Sequence, residues 1–452
     1  MKKFLPTLVF LVLLVVLGFA NWRNFELHRK IDELRSEVAQ LEQQRRDLQG
    51  QVSATQRGPK PEEQAGDRES IERQTSELRG LPFKTPVKYK MIERTDLRRV
   101  LVEKVKEQYT EQELHDYSRA LAAFGLVPEG TDFLNVIVSL YNEQVAAFYS
   151  PEERALYTFK DLVFSSNLDK MLLSHELTHA LQDQSFDLLK FPLKVKDNDD
   201  LALATSALVE GDATVLMTRW YVENIDPSKM LGDLGAMFGQ NTAKLREAPA
   251  YLRELLLFPY QQGQQFVMTL FVSGGTAAID AAFRNPPTCT KDILHPEKYL
   301  QQRATPEPID LPRLESPDWR LIGNNVLGEF GTRFVLQQGI GAFDAQLLAQ
   351  GWNGDRYQVY EHGTNGPTAL VWETAWEDAQ EAGEFEDAYK KVVEKRGGPA
   401  PSGASLHLHR DGKHVTVLQS TDATFIDVWE AGRVARKTNQ IQNVAVPVPG
   451  MQ

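Results

Sequence analysis

The chain has 452 residues, of which 42% are hydrophobic and 25% are charged, so it is neither a disordered chain nor a multi-span membrane protein. Its formal net charge of −12 has the wrong sign for contacts with phosphates, which excludes nucleic acid as a partner. The one cysteine, Cys289, rules out an internal disulfide and every cysteine-rich zinc site, so a metal here needs histidine and carboxylate ligands.

Residues 1–22 are predicted to be a targeting segment. Lys2 and Lys3 precede an apolar run over residues 4–20 that only Thr7 interrupts, and such a run spans a thin bilayer. The basic residues on its N-terminal side orient the rest of the chain to the outside of the cytoplasm. We expect a single-pass membrane protein with an extracytoplasmic catalytic domain. The alternative is a secreted or periplasmic chain from which this segment has been cleaved as a signal peptide.

Residues 23–52 are predicted to form a short coiled coil. Apolar residues recur from Leu27 to Val52 at alternating spacings of four and three, and Arg45 occupies the one heptad position that is not apolar. This pattern predicts a homo-oligomer, and an amphipathic helix that packs back on the folded part is the alternative. Residues 53–80 are polar and lack periodicity, which predicts a flexible linker.

Residues 81–310 are predicted to be a mainly helical core. Apolar residues at helical spacing predict helices over residues 97–124, 132–144, 168–183, 201–222 and 251–272. Between the second and third of these helices, two strand-like runs at residues 145–149 and 155–159 predict a β-hairpin with a five-residue connection.

Residues 311–452 are predicted to form a smaller C-terminal α+β unit. Its helices are expected around residues 328–350 and 376–395, and its strands at residues 369–374, 405–409 and 414–419. Residues 351–355 are expected to be a tight turn. The predicted fold class of the whole chain is therefore α+β, with a β-hairpin on the substrate side of a mainly helical core.

The motif His-Glu-Leu-Thr-His at residues 175–179 predicts a metal site. On a helix, His175 and His179 lie four residues apart and project from one face, so both imidazoles reach one ion. Glu176 is close to the open position of such a metal, where it accepts a proton from water without being a ligand. We therefore expect Zn²⁺, with Glu176 as the general base.

The third protein ligand is expected from another helix, and Glu210 is our prediction for it. Small residues on both sides, including Gly211, allow the helix of Glu210 to pack closely against the helix of the two histidines. Glu223, further along the same segment, is the alternative ligand.

Residues on either side of the motif are predicted to support it. The hairpin that precedes the motif offers a strand edge for an extended peptide, so Phe148 and Tyr149 are predicted to bind substrate. Asp183 lies one turn after His179, where a carboxylate orients a ligand imidazole.

The segment from His175 to Asp183 resembles the zinc helix of thermolysin-type metalloproteases. With Glu210 downstream, the pattern is similar to the gluzincin group, whose third ligand is a glutamate on a following helix. Pieces between residues 145 and 390 also resemble a little-characterised family of exported prokaryotic metallopeptidases. The matching pieces are residues 148–151, 175–188, 208–213, 293–299 and 351–357. The resemblance implies a peptidase core with one zinc per chain and a peptide or protein substrate. The exopeptidase signature Gly-x-Met-Glu-Asn is absent, which favours an endopeptidase.

Two further roles follow from this resemblance. Thr214 stands where thermolysin has an aspartate that supports a ligand histidine, and Asp212 is our candidate for that role. A hydrogen-bond donor to the oxyanion of peptide hydrolysis is expected from another segment. His295 is the first choice for this donor, and Tyr260 and Tyr299 are the alternatives.

These features together predict a membrane-tethered zinc metallopeptidase in which His175, His179 and Glu210 bind the metal. The alternative is a non-catalytic surface or scaffold protein that uses a metallopeptidase-like fold and assembles through its coiled coil. The presence of Glu176 favours the enzyme, because a degraded enzyme tends to lose its general base.

Overall fold

The computed structural model describes residues 61–144, 147–159, 166–225, 243–396, 405–420, 422 and 424–431. The predicted targeting segment and the predicted coiled coil lie outside these residues. The described residues form helices and two β-sheets. The predicted α+β class is therefore confirmed.

The helices and strands of the described residues follow one another along the whole chain. The α-helices are α1 Pro61–Arg79, α2 Leu97–Gln108, α3 Glu111–Ala123, α4 Phe133–Gln144, α5 Asn167–Phe186, α6 Asp199–Asn224, α7 Ala243–Glu247, α8 Ala250–Arg284, α9 Thr290–Leu294, α10 Pro296–Gln301, α11 Gly328–Ile340, α12 Ala342–Ala349 and α13 Ala379–Lys395. The strands are β1 Lys88–Ile92, β2 Ala147–Ser150, β3 Ala155–Phe159, β4 Trp319–Asn325, β5 Trp352–His362, β6 Thr368–Trp376, β7 Ser405–Asp411 and β8 His414–Ser420.

The strands form one small sheet and one larger sheet. The small sheet has the order β1-β3-β2, in which β3 pairs in parallel with β1 and antiparallel with β2. The larger sheet has the order β4-β5-β6-β8-β7, and all its pairs are antiparallel. The predicted hairpin is present as β2 and β3. Its connection is one residue shorter than predicted, because Ser150 already pairs with Ala155.

Residues 61–79 form the helix α1, so the prediction of a flexible linker over residues 53–80 is wrong for this part of it. The helix is mostly polar, but Ile71, Thr75 and Arg79, spaced by four residues, are buried. Ile71 belongs to a buried apolar cluster that includes Leu177 of α5 and Trp220 of α6. Packing against these two helices orders a segment that has too few apolar residues to show helical periodicity.

Residues 351–355 are not the predicted turn but lead into the strand β5. The register of β5 against β6 shifts between Trp352 and Gly354, as at a β-bulge. A Cβ on Gly354 would lie 2.3 Å from the carbonyl oxygen of Glu307, so this close approach requires glycine. Asp355 accepts hydrogen bonds from the indole nitrogens of Trp352 and Trp372. These buried contacts explain why a turn-like sequence continues as a strand.

One hydrophobic core contains buried residues from both sides of the predicted boundary at residue 310, among them Leu208, Phe266, Phe330 and Trp372. The helices α6 and α8 lie on the N-terminal side of this boundary. A Cβ on Gly211 of α6 would lie 2.3 Å from the carbonyl oxygen of Gly263 in α8. The two helices therefore approach each other backbone to backbone next to Glu210.

Within the described residues, the same two helices, α6 and α8, are long and apolar enough to cross a membrane when judged by length and composition alone. The most apolar window of α6 is 61% buried inside the fold, and that of α8 is 33% buried. A core helix of a soluble protein passes the same test, so this finding does not distinguish the two settings.

Candidate metal centre

The helices α5 and α6 bring the predicted metal ligands together. At the start of α5 the side chain of Ser166 accepts a hydrogen bond from the backbone of Asp169, and Asn198 caps α6 in the same way. His175 and His179 project from one face of α5 and are each 8% exposed. Glu210 reaches them from α6 with a side chain that is 22% exposed.

The donor atoms of the three residues form a nearly equilateral triangle. Nε2 of His175 lies 3.2 Å from Nε2 of His179 and 3.2 Å from Oε2 of Glu210. The remaining side, from Nε2 of His179 to Oε2 of Glu210, measures 3.4 Å. Within the described residues, this is the group of histidines and carboxylates that is arranged to hold a metal ion.

These distances fit a tetrahedral zinc ion. Zinc binds imidazole nitrogen and carboxylate oxygen at about 2.0–2.1 Å, so two ligands at the tetrahedral angle are about 3.3 Å apart. The three measured sides differ from that value by no more than a tenth of an ångström. Two imidazoles and one carboxylate are also the donor set of catalytic zinc sites that keep a fourth position open.

Gln182, which the sequence did not single out, orients one of the ligand histidines. Its Oε1 accepts a hydrogen bond from Nδ1 of His179 at 2.9 Å, while its Nε2 donates to the backbone oxygen of Val209 and to Asp212. The two acceptors fix the direction of the amide, so Nδ1 of His179 carries a hydrogen and Nε2 presents its lone pair to a metal. Gln182 lies three residues after His179 on the same helix face, and this spacing was the one available signal.

The two predicted supporting carboxylates have different outcomes. Asp212 lies behind Gln182 and supports His179 indirectly, through the amide. The prediction that Asp183 orients a ligand imidazole is wrong, because Gln182 holds that position. Asp183 instead accepts hydrogen bonds from the hydroxyl of Tyr149 at 2.9 Å and from the backbone of Leu188. It therefore fixes β2 against the end of α5.

Nδ1 of the other ligand, His175, is buried without a hydrogen-bond partner among the described residues, and so is the hydroxyl of Thr214. Thr214 is the residue that replaces the supporting aspartate of thermolysin. The carboxylate support that this aspartate gives in thermolysin is thus not reproduced at Thr214.

Glu176 lies beside the triangle and contacts the small sheet. Its Oε2 accepts a hydrogen bond of 2.8 Å from the backbone N–H of Tyr149, a residue of the edge strand β2. Burial raises the pKa of Glu176 above its ordinary value, and the nearby histidines oppose that shift. The carboxylate is therefore held in place and is more basic than a carboxylate in water.

The three ligand residues strongly affect one another's protonation. Burial alone lowers the pKa of His179, but the Glu210 carboxylate reverses this effect and raises the pKa to about 9. The two histidines, in turn, hold the pKa of Glu210 far below its usual range although burial acts in the opposite direction. The cluster thus stabilises positive charge between its members, as a cation site requires.

His295, the predicted oxyanion donor, is not brought to this centre. Its Nε2 lies 2.8 Å from the carboxylate of Glu329, and it lines a cavity of about 340 Å³ that contains none of the triangle residues. Tyr299 lines the same cavity and packs edge-on against Phe266. The third candidate, Tyr260 of α8, has its ring 6.2 Å from that of His175.

The alternative metal ligand is also placed elsewhere. Glu223 has a side chain that is 53% exposed and lies 3.7 Å from Arg219 on the same helix. The structure therefore assigns the third position of the triangle to Glu210.

Comparison with known proteins gives one informative boundary. Residues 319–429 match a family model described as a domain of unknown function, DUF8575. This segment falls within the predicted C-terminal unit and contains none of the triangle residues. No curated protein and no solved structure matches the chain.

Proposed function

We propose that this chain is a zinc-dependent endopeptidase of the gluzincin type, with one zinc ion per chain held by His175, His179 and Glu210. The observation that carries the proposal is the triangle of three donor atoms with sides of 3.2–3.4 Å. The hydrogen bond from His179 to Gln182 adds to it, because metal-binding histidines nearly always donate their second ring N–H to a neighbour.

Zinc bound here supplies Lewis acidity, which lowers the pKa of water and polarises a peptide carbonyl. Glu176 is the residue that takes the proton from the attacking water. Its Oε2 is held by the N–H of Tyr149, which leaves Oε1 to receive that proton. A carboxylate whose pKa is raised by burial is suited to this task, because its basicity is closer to neutral pH.

The proposed substrate is an extended peptide that lies beside β2. This strand is at the edge of its sheet, and Tyr149 connects it to both Glu176 and Asp183. Phe148 stacks on Tyr157 of the neighbouring strand at a ring distance of 4.6 Å, which adds an aromatic surface next to that edge. Backbone pairing with an edge strand recognises a peptide without requiring one sequence.

The proposed setting is the outer face of a membrane. In this proposal residues 1–22 anchor the chain, and the coiled coil of residues 23–52 joins copies of it. The basic start, the apolar run and the heptads of the sequence support this arrangement.

Elemental analysis of the purified full-length protein tests the metal site. We expect about one zinc per chain after reconstitution, no retained zinc in His175→Ala, and weakened binding in Glu210→Gln. His115→Ala is the matched control, because this histidine is 50% exposed on α3 and should not affect the zinc content. A wild-type protein that binds no zinc would overturn the proposal.

A further inference from the structure

The last residue of α1, Arg79, is buried between the metal helices and α8. Its side chain is 1% exposed, and its Nε donates to Oδ2 of Asp212 at 2.9 Å. Its Nη1 donates to Oδ1 of Asp280 at 2.8 Å, and its guanidinium lies 5.8 Å from the ring of Phe283. Two carboxylates and an aromatic ring therefore fix the position of this cation.

A continuous chain of hydrogen bonds runs from Arg79 to a metal ligand. The oxygen of Asp212 that accepts from Arg79 also accepts from Nε2 of Gln182 at 2.9 Å. Gln182 in turn accepts from Nδ1 of His179 at 2.9 Å. Arg79, Asp212 and Gln182 are each no more than 1% exposed, so water does not replace these contacts readily.

We infer that Arg79 is a positioning residue of the metal centre, acting through Asp212 and Gln182 on the orientation of His179. The inference rests on the proposed zinc site. Asp212 is 1% exposed, so loss of Arg79 leaves a buried negative charge without its cation. Such a carboxylate turns toward water or another donor, which frees the amide of Gln182 and with it the imidazole.

This role also concerns the predicted tether, because α1 leads directly from the N-terminal segment to the metal centre. Its residue Ile71 packs in one cluster with residues of both metal helices. The indole nitrogen of Trp220 in α6 donates to the side chain of Gln74, and Arg219 donates to the backbone of Leu78. A cut before α1 should leave the metal centre intact, whereas a cut after Arg79 should remove one of its supports.

The test measures the zinc dissociation constant of the metal-free full-length protein by competition with a chelator. Arg79→Met keeps an apolar stem of similar length but removes the guanidinium. We expect it to weaken zinc binding by about 10-fold to 100-fold, the usual cost of losing a residue that supports a ligand histidine. Arg79→Lys, which retains the charge but not the forked geometry, should fall between Arg79→Met and the wild type.

Arg119→Met is the matched control for general destabilisation. Arg119 is also a buried arginine paired with a carboxylate, that of Glu361, but it contacts none of the metal-centre residues. It should lower the melting temperature and leave the zinc dissociation constant unchanged. The visible spectrum of the cobalt-loaded protein, which reports ligand geometry, should change in Arg79→Met and not in Arg119→Met.

The outcomes separate the inference from the proposed function. If the wild type binds no zinc, the proposed function fails. If the wild type binds zinc and Arg79→Met binds it equally well, or if Arg119→Met weakens binding as much, only the positioning role is overturned. Should Arg79→Met fail to fold, Arg79→Lys decides alone, because wild-type affinity and cobalt spectrum in that variant contradict a role for the forked guanidinium.

Discussion

Oε1 of Gln182 lies 2.9 Å from Nδ1 of His179, so a neutral amide, rather than a carboxylate, orients this ligand histidine. A carboxylate in this place would make the imidazole more basic and would add a second negative charge beside Asp212. The amide avoids that repulsion and still fixes the tautomer, because its nitrogen donates to two acceptors.

Replacement of Gln182 should therefore weaken the metal site without removing a ligand. In Gln182→Leu we expect the zinc dissociation constant to rise by about 10-fold to 100-fold, measured by chelator competition. Gln184→Ala is the control, because Gln184 lies on the same helix but contacts the backbone of Lys84 and Thr85 instead. Equal zinc affinity of Gln182→Leu and the wild type would show that the amide does not support His179.

Tyr260 replaces His295 as our candidate for the oxyanion donor, because its ring is the one that lies beside His175. Tyr260→Phe should keep its zinc and lose about 10²-fold to 10³-fold in kcat, the usual effect of removing one such donor. Tyr299→Phe should retain wild-type kcat. Full activity in Tyr260→Phe would exclude the hydroxyl as the donor.

The close contact of α6 and α8 gives a prediction for stability. In Gly211→Ala the new Cβ meets the backbone of Gly263 at 2.3 Å, so the helices must move apart at a cost of about 1–3 kcal/mol. Thermal unfolding should show a lower melting temperature, and the displaced Glu210 should bind zinc less tightly. Gly383→Ala in α13 is the control, because its Cβ would meet only the end of Arg410 at 3.8 Å. A wild-type melting temperature in Gly211→Ala would contradict the packing described here.

The pH dependence of stability should contain a contribution from Asp200. Burial raises the pKa of its carboxyl from 3.8 to about 7, and its Oδ1 accepts two hydrogen bonds from Thr290. The native state therefore binds a proton that the unfolded chain releases. The resulting stabilisation is complete below a pH of about 4 and is lost as the pH rises through about 7.

Asp200→Asn removes this titration and keeps the acceptor oxygen. Its melting temperature should exceed that of the wild type at pH 8, and the difference should shrink as the pH falls toward 4. Asp197→Asn, at an exposed neighbouring position, should keep the wild-type profile. A pH profile of Asp200→Asn that runs parallel to that of the wild type would mean that Asp200 is ionised in the native state as it is in the unfolded one.

The parts of the structure that were predictable from sequence are those with local signals. The spacing of His175 and His179 needs only a helix to bring both rings to one ion, and small residues beside Glu210 indicated its close packing. The parts that depend on a neighbour were missed. Gln182 acts only because Val209 and Asp212 of another helix accept its amide hydrogens.

The same reason explains the two segments whose secondary structure was predicted wrongly. Residues 61–79 are helical because they pack on α5 and α6, and the sequence shows a single buried apolar residue there, Ile71, beside Thr75 and Arg79. Residues 351–355 contain two glycines and an asparagine, as turns do, but Asp355 and Trp352 are fixed by partners far along the chain. Propensity is a weak predictor when long-range contacts oppose it.

The most direct measurement compares peptide-bond hydrolysis by the zinc-loaded full-length protein and by Glu176→Gln at equal zinc content, on one peptide library. Glu176 is not a ligand, so we predict that the variant keeps its zinc. The wild type should release new amino termini, and the rate of the variant should be lower by about 10²-fold to 10⁴-fold, the contribution of a positioned general base. Hydrolysis at the same rate by both proteins, or by neither, would contradict the assignment of this chain as a zinc peptidase with Glu176 as its base.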